Sequence, residues 1–110
     1  IQRSYMDKLG LLERPTLELT ETAQPLYPAR WGRLSSYTIS FGHGISVSPI
    51  HVAGAVSAAA GTGEFIAPTL LKRKPDELFE RVRIFSYETT RKVRSMMRLA
   101  VSQRWYSQFC

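Results

Sequence analysis

Three features of the 110-residue sequence predict an α+β chain, mainly helical with short strands. Ser48-Pro49 precedes a run of small residues that stops at Gly61, the form of a capped helix. Farther on, Val93, Met96, Met97, Ala100 and Val101 recur at i, i+3, i+4, i+7 and i+8, the spacing of one helix face. Between them, Phe65-Ile66-Ala67, Thr69-Leu70-Leu71 and Val82-Arg83-Ile84-Phe85 are apolar runs too short for helices, and Pro68 separates the first two.

The elements follow in order. Ile1 to Leu9 carries Ile1, Tyr5, Met6 and Leu9 on one side of a helix that Gly10 is placed to end. It reads as the last turns of a longer helix, and the absence of an initiator methionine suits a chain whose beginning is absent. From Leu11 to Arg33, Pro15, Pro25, Pro28 and the polar Thr20-Glu21-Thr22 indicate an extended connection over a surface, closed by Pro28-Ala29-Arg30-Trp31-Gly32. So long a stretch without regular structure belongs on a larger scaffold rather than in a compact domain. Thr38 to Gly44 alternates hydroxyl and apolar residues, then sets a histidine between two glycines. Glycine tolerates positive φ, so a tight turn is expected at Gly42-His43-Gly44. Ser48 is the expected N-cap of a helix from Pro49 to about Ala60, ended by Gly61. Its small residues, Ala53, Gly54, Ala55, Ser57 and Ala58 among them, allow another backbone to approach, and burial on most sides is expected. Gly61-Thr62-Gly63-Glu64 reads as a turn. Ser86 caps the last helix, with Glu88 near its positive dipole end. One face of that helix is expected to be core, and Arg91, Lys92, Arg94, Ser95 and Arg98 form the solvent face.

Hydrophobic content of 44% is ordinary for a globular protein. A piece this short cut from a larger domain would nevertheless leave apolar faces uncovered. The single cysteine, Cys110, excludes an intrachain disulfide. The net charge of +6 comes largely from Lys72-Arg73-Lys74, Arg81, Arg83 and the last helix. Such charge can mark an anionic partner. Here it lies on a helix face and beside a turn without aromatic interleaving, so no nucleic-acid partner is expected. No apolar run approaches the ~20 residues of a membrane span, and no secretory leader opens the chain.

Candidate chemistry is sparse. His43 would need an orienting carboxylate within reach to act as a base, and none is near it in sequence. His51 lies in the first turn of the small-residue helix. Two histidines and a terminal thiol form no recognised zinc spacing, so no metal and no cofactor is expected. Gly61-Thr62-Gly63 lacks the lysine and the length of a phosphate loop. Met96 and Met97 read as core filler. No serine is followed three places later by lysine, asparagine is absent altogether, and no Lys-Thr-Gly occurs.

Phe41-Gly42-His43-Gly44-Ile45-Ser46-Val47-Ser48-Pro49 resembles the Tyr-Gly-x-Gly-Leu-x-Val-Thr-Pro run of class B penicillin-binding proteins, the peptidoglycan D,D-transpeptidases. Pro68-Thr69-Leu70-Leu71-Lys72-Arg73, Leu9-Gly10-Leu11-Leu12-Glu13-Arg14-Pro15 and Pro28-Ala29-Arg30-Trp31-Gly32 are also similar to the division-specific members. The resemblance spans residues 1–103. It implies part of a penicilloyl-serine transferase domain, the region between the Ser-x-Asn motif and the Lys-Thr-Gly strand. Catalysis in the family needs those motifs and a Ser-x-x-Lys nucleophile. No position here matches them, so no catalytic residue carries over. Gly42, His43 and Gly44 would lie near the cleft. The parent is expected to act on peptidoglycan stem peptides in septum formation, to bind β-lactams and other divisome proteins, and to sit in the inner membrane with a periplasmic catalytic domain.

After Gln103 the pattern breaks into Arg104-Trp105-Tyr106-Ser107-Gln108-Phe109-Cys110. Arg-Trp-Tyr can be written CGG-TGG-TAC, which encodes Gly-Gly-Thr when shifted by one base. A frameshift or assembly error would thus explain an aberrant tail over 104–110. Two other readings compete: a small basic non-enzymatic module for anionic partners, and a complete small enzyme using His43 or His51.

Overall fold

The computed structural model describes residues 1–74 and 76–109, with side chains up to residue 102. The order is α1 (Gln2–Lys8), α2 (Arg33–Ser40), α3 (Pro49–Ala60), β1 (Glu64–Phe65), β2 (Val82–Arg83) and α4 (Tyr87–Phe109). It is a mainly helical chain with two short strands.

Gly10 follows α1 at φ +67°, where a left-handed residue closes the helix and glycine has no Cβ to strain. A Cβ there would come within 3.2 Å of the Phe65 ring. Tyr5 of α1 stacks on Phe85 at 5.8 Å between ring centroids.

Helix α2 departs from the expectation of an alternating stretch before the turn. Its hydroxyls fold back on the helix: Thr38 Oγ1 donates to the Ser35 carbonyl (3.2 Å) and Ser40 Oγ to that of Tyr37 (2.6 Å). Serine and threonine there satisfy themselves locally, and Ile39 turns into the core. The glycine turn then forms as expected, with Gly42 at φ +87° and Gly44 at +85°. The Thr38 carbonyl accepts the His43 N–H at 3.0 Å.

The 11–33 connection runs mostly over the surface but is anchored. Leu12 is buried, and Leu26 exchanges backbone hydrogen bonds with Ser46 at 3.0 and 2.8 Å.

Helix α3 has the expected bounds and cap but not the expected burial. His51 and Ala58 are buried, whereas Val52 is 47% exposed. β1 and α4 pack against it, while Val52 and Val56 stay exposed. Phe65 lies against Gly54, whose missing Cβ leaves room for the ring.

β1 and β2 pair antiparallel, Glu64 opposite Arg83 and Phe65 opposite Val82. The Glu64 carboxylate meets Arg83 at 2.8 Å and Arg81 at 3.7 Å. Thr69-Leu70-Leu71 joins no strand. Pro68 lacks the N–H a ladder needs, and the Thr69 hydroxyl and Leu70 N–H are instead donated to the Glu18 carboxylate.

Ser86 caps α4, its Oγ accepting the Thr89 N–H at 3.2 Å. Thr90 is fully buried beneath Gly63 and Phe85. The expected core face is not core. Met96 is 61% exposed and Val101 71%, because nothing among the described residues packs over α4 beyond its first turns. The reading of residues 104–110 as an aberrant tail lies outside the described side chains. Among the described residues the buried hydrophobic core is correspondingly small: Leu12, Ile39 and Ala58.

Candidate functional site

Gly42-His43-Gly44 stands at the surface, all three residues exposed. The His43 side chain makes no hydrogen bond among the described residues. Backbone bonds to α2 hold the turn, and both glycines occupy the left-handed region that a Cβ disfavours. The arrangement shapes a path for the chain.

His51 is placed differently. It is buried, with 6% of its surface exposed, at the third position of α3. Its Nδ1 accepts the Ser48 N–H at 3.2 Å and lies 2.7 Å from Ser48 Oγ. Its Nε2 lies 2.9 Å from the Glu13 carbonyl oxygen. This is a capping box in which histidine takes the place usually held by glutamate or glutamine. The Ser-x-x-His spacing was visible in the sequence. The tie to Glu13, 38 residues away, was not.

A concavity of about 200 Å³ opens beside His51. Leu9, Ile50 and Phe65 supply apolar wall, and Glu13 and Arg14 supply charge. With both ring nitrogens engaged, His51 has no lone pair free for a metal or for proton transfer. The two histidines form no pair, and no group of three His, Cys, Asp or Glu able to hold a metal occurs among the described residues.

Among the described residues, the one ionisable group clearly displaced is Glu18. The Thr69 hydroxyl, and next the Leu70 N–H, hold its carboxyl below its ordinary value. It ties the connection to residues 69–70. No helix among the described residues is long and apolar enough to cross a membrane.

Over residues 2–107 the sequence matches the family model for the penicillin-binding protein transpeptidase domain. It is 35% identical over 97 residues to the probable peptidoglycan D,D-transpeptidase FtsI of Caulobacter vibrioides, an alignment covering 88% of this chain and 16% of that protein. A peptidoglycan glycosyltransferase from Burkholderia ambifaria aligns in structure with a TM-score of 0.78 at 31% identity, over 86% of this chain and 31% of that one. The transpeptidase domain of Burkholderia pseudomallei penicillin-binding protein 3 gives 0.76 at 32% identity, over 86% and 29%. The chain thus spans less than a third of each relative.

Proposed function

The chain belongs to the penicillin-binding protein transpeptidase domain family, and from that premise we propose that it is scaffold from a class B peptidoglycan D,D-transpeptidase of the division type. The match over residues 2–107 carries the reading. In the parent, a serine would be acylated by the stem peptide of peptidoglycan, or by a β-lactam, and the acyl group passed to an acceptor amine. The nucleophile, the Ser-x-Asn motif and the Lys-Thr-Gly strand would come from outside residues 1–103. Those residues would supply the helices and connections beside the cleft, with Gly42, His43 and Gly44 bordering it. A role in the septum, partners in the divisome, an inner-membrane anchor and a periplasmic catalytic domain are parts of the same proposal, as is an aberrant tail over 104–110.

The 110-residue chain would then be inactive alone. It lacks asparagine and any Ser-x-x-Lys or Lys-Thr-Gly sequence, and transpeptidation needs all three groups assembled. The alternative of a basic binding module has less support, because Arg81 and Arg83 are paired to Glu64 and Lys92 to Glu88. Incubated with a fluorescent penicillin beside an intact transpeptidase domain, the chain is expected to take no stable covalent label. Stoichiometric labelling that survives denaturation would overturn the proposal.

A further inference from the structure

The hydrogen-bond partners of His51 leave its ring a single neutral form. The Glu13 carbonyl can only accept, so Nε2 carries the hydrogen and donates it. The Ser48 N–H can only donate, so Nδ1 carries the lone pair. One ring therefore serves two purposes. Toward Ser48 it satisfies an N–H at the start of α3, where helix donors lack intrahelical partners. Toward Glu13 it holds a backbone carbonyl of the connection.

We propose that His51, as the Nε2–H tautomer, is a positioning residue that pins the connection to the start of α3 and so sets one wall of the adjoining concavity. A second tie lies along the same segment, where Ser46 pairs with Leu26. The stretch leading from the glycine turn into α3 is thus held to the connection at two points, Leu26 and Glu13. The path of that stretch follows from these ties and from the positive φ at Gly42 and Gly44. The pin itself rests on the geometry of this chain and stands apart from the proposed function.

Side-chain chemistry separates the two purposes. Glutamine has one acceptor and one donor group at its tip and can serve both Ser48 and Glu13. Glutamate can take the Ser48 N–H, but an ionised carboxylate has no hydrogen to give the Glu13 carbonyl. Alanine can do neither. The test compares the 110-residue chain with its His51→Gln, His51→Glu and His51→Ala variants by NMR. The readouts are the ring ¹⁵N shifts, hydrogen exchange at the Ser48 amide, and the methyl shifts of Leu12, which is buried beside Glu13 in sequence.

In the unmodified chain, the ring shifts should report hydrogen on Nε2 and a bare Nδ1. His51→Gln should retain both Ser48 protection and the buried Leu12 shifts. His51→Glu should retain the first and lose the second. His51→Ala should lose both, with Ser48 exchange roughly five- to tenfold faster, the scale of one hydrogen bond. Hydrogen on Nδ1, a His51→Glu variant that matches His51→Gln at Leu12, an unaffected His51→Ala variant, or averaged Leu12 shifts in the unmodified chain would each overturn the pin.

Discussion

Glu18 and Gly63 show how single residues in this chain act over long separations. The Glu18 carboxylate accepts from the Thr69 hydroxyl and from the Leu70 N–H, the latter at 2.9 Å, across more than fifty residues of sequence. Those bonds favour the charged form, which lowers the carboxyl pKa below its ordinary value. A group depressed in this way contributes to folding at pH above its unfolded value, and the contribution is lost as pH falls through the lower folded value. We expect the Leu70 amide proton shift to titrate with an inflection below that of a free glutamate, and Glu18→Gln to abolish it. An inflection at or above the ordinary value would refute the tie. Gly63 sits at φ +88°, and its carbonyl accepts the Ile84 and Phe85 N–H groups at 2.8 and 3.0 Å. A Cβ there would lie 2.2 Å from the Phe85 carbonyl oxygen, so no other residue fits without moving the backbone.

At the scale of elements, local signals were legible where capping chemistry sets the boundary. Ser48, Pro49 and Gly61 marked α3, and Ser86 marked the start of α4. Helix α2 was not legible, because Ser35, Ser36, Thr38 and the β-branched Ile39 are weak helix formers, and the hydroxyls of Ser35, Ser36 and Thr38 bond as readily to a turn as to a helix. The burial of α4 was misjudged for another reason. A hydrophobic period states which face would be buried and is silent on whether anything is present to bury it. Among its described side chains, α4 is covered only near Thr90. Local stability follows packing, so amide exchange along α4 is expected to be slowest at residues 90–94 and to accelerate toward 102. Uniform protection along the helix would contradict the uneven packing.

The whole molecule exposes 9048 Å², against about 6,200 Å² for a compact monomer of its mass. Its radius of gyration is 16.3 Å, against about 13 Å for a folded domain of this length. The surplus surface, about 2,800 Å² on this chain alone, exceeds the ~800 Å² that each partner contributes to an interface of standard size. Much of it is apolar: the α4 face, the outer side of α3, and Leu26, Leu34 and Phe41. On the proposed function, the remainder of the transpeptidase domain covers these faces. The 110-residue chain alone is therefore expected to bind a hydrophobic dye such as ANS at these faces while Leu12, Ile39 and Ala58 stay packed, and to unfold with a denaturant slope below that of a compact domain of equal length. Absence of dye binding, with the slope of a compact domain, would show that these faces are covered within the chain.

The family, the helix caps and the glycine turn were readable from the chain because each is local: a hydroxyl three residues from the groups it caps, a glycine where φ turns positive, a run of nine residues in a familiar order. The missing catalytic motifs were readable for the same reason. The ties of His51 to Glu13, of Glu18 to Thr69 and Leu70, and of Leu26 to Ser46 join residues 20 or more positions apart, and neither composition nor period specifies such partners. They exist because the fold brings a donor and an acceptor together and leaves each no nearer partner.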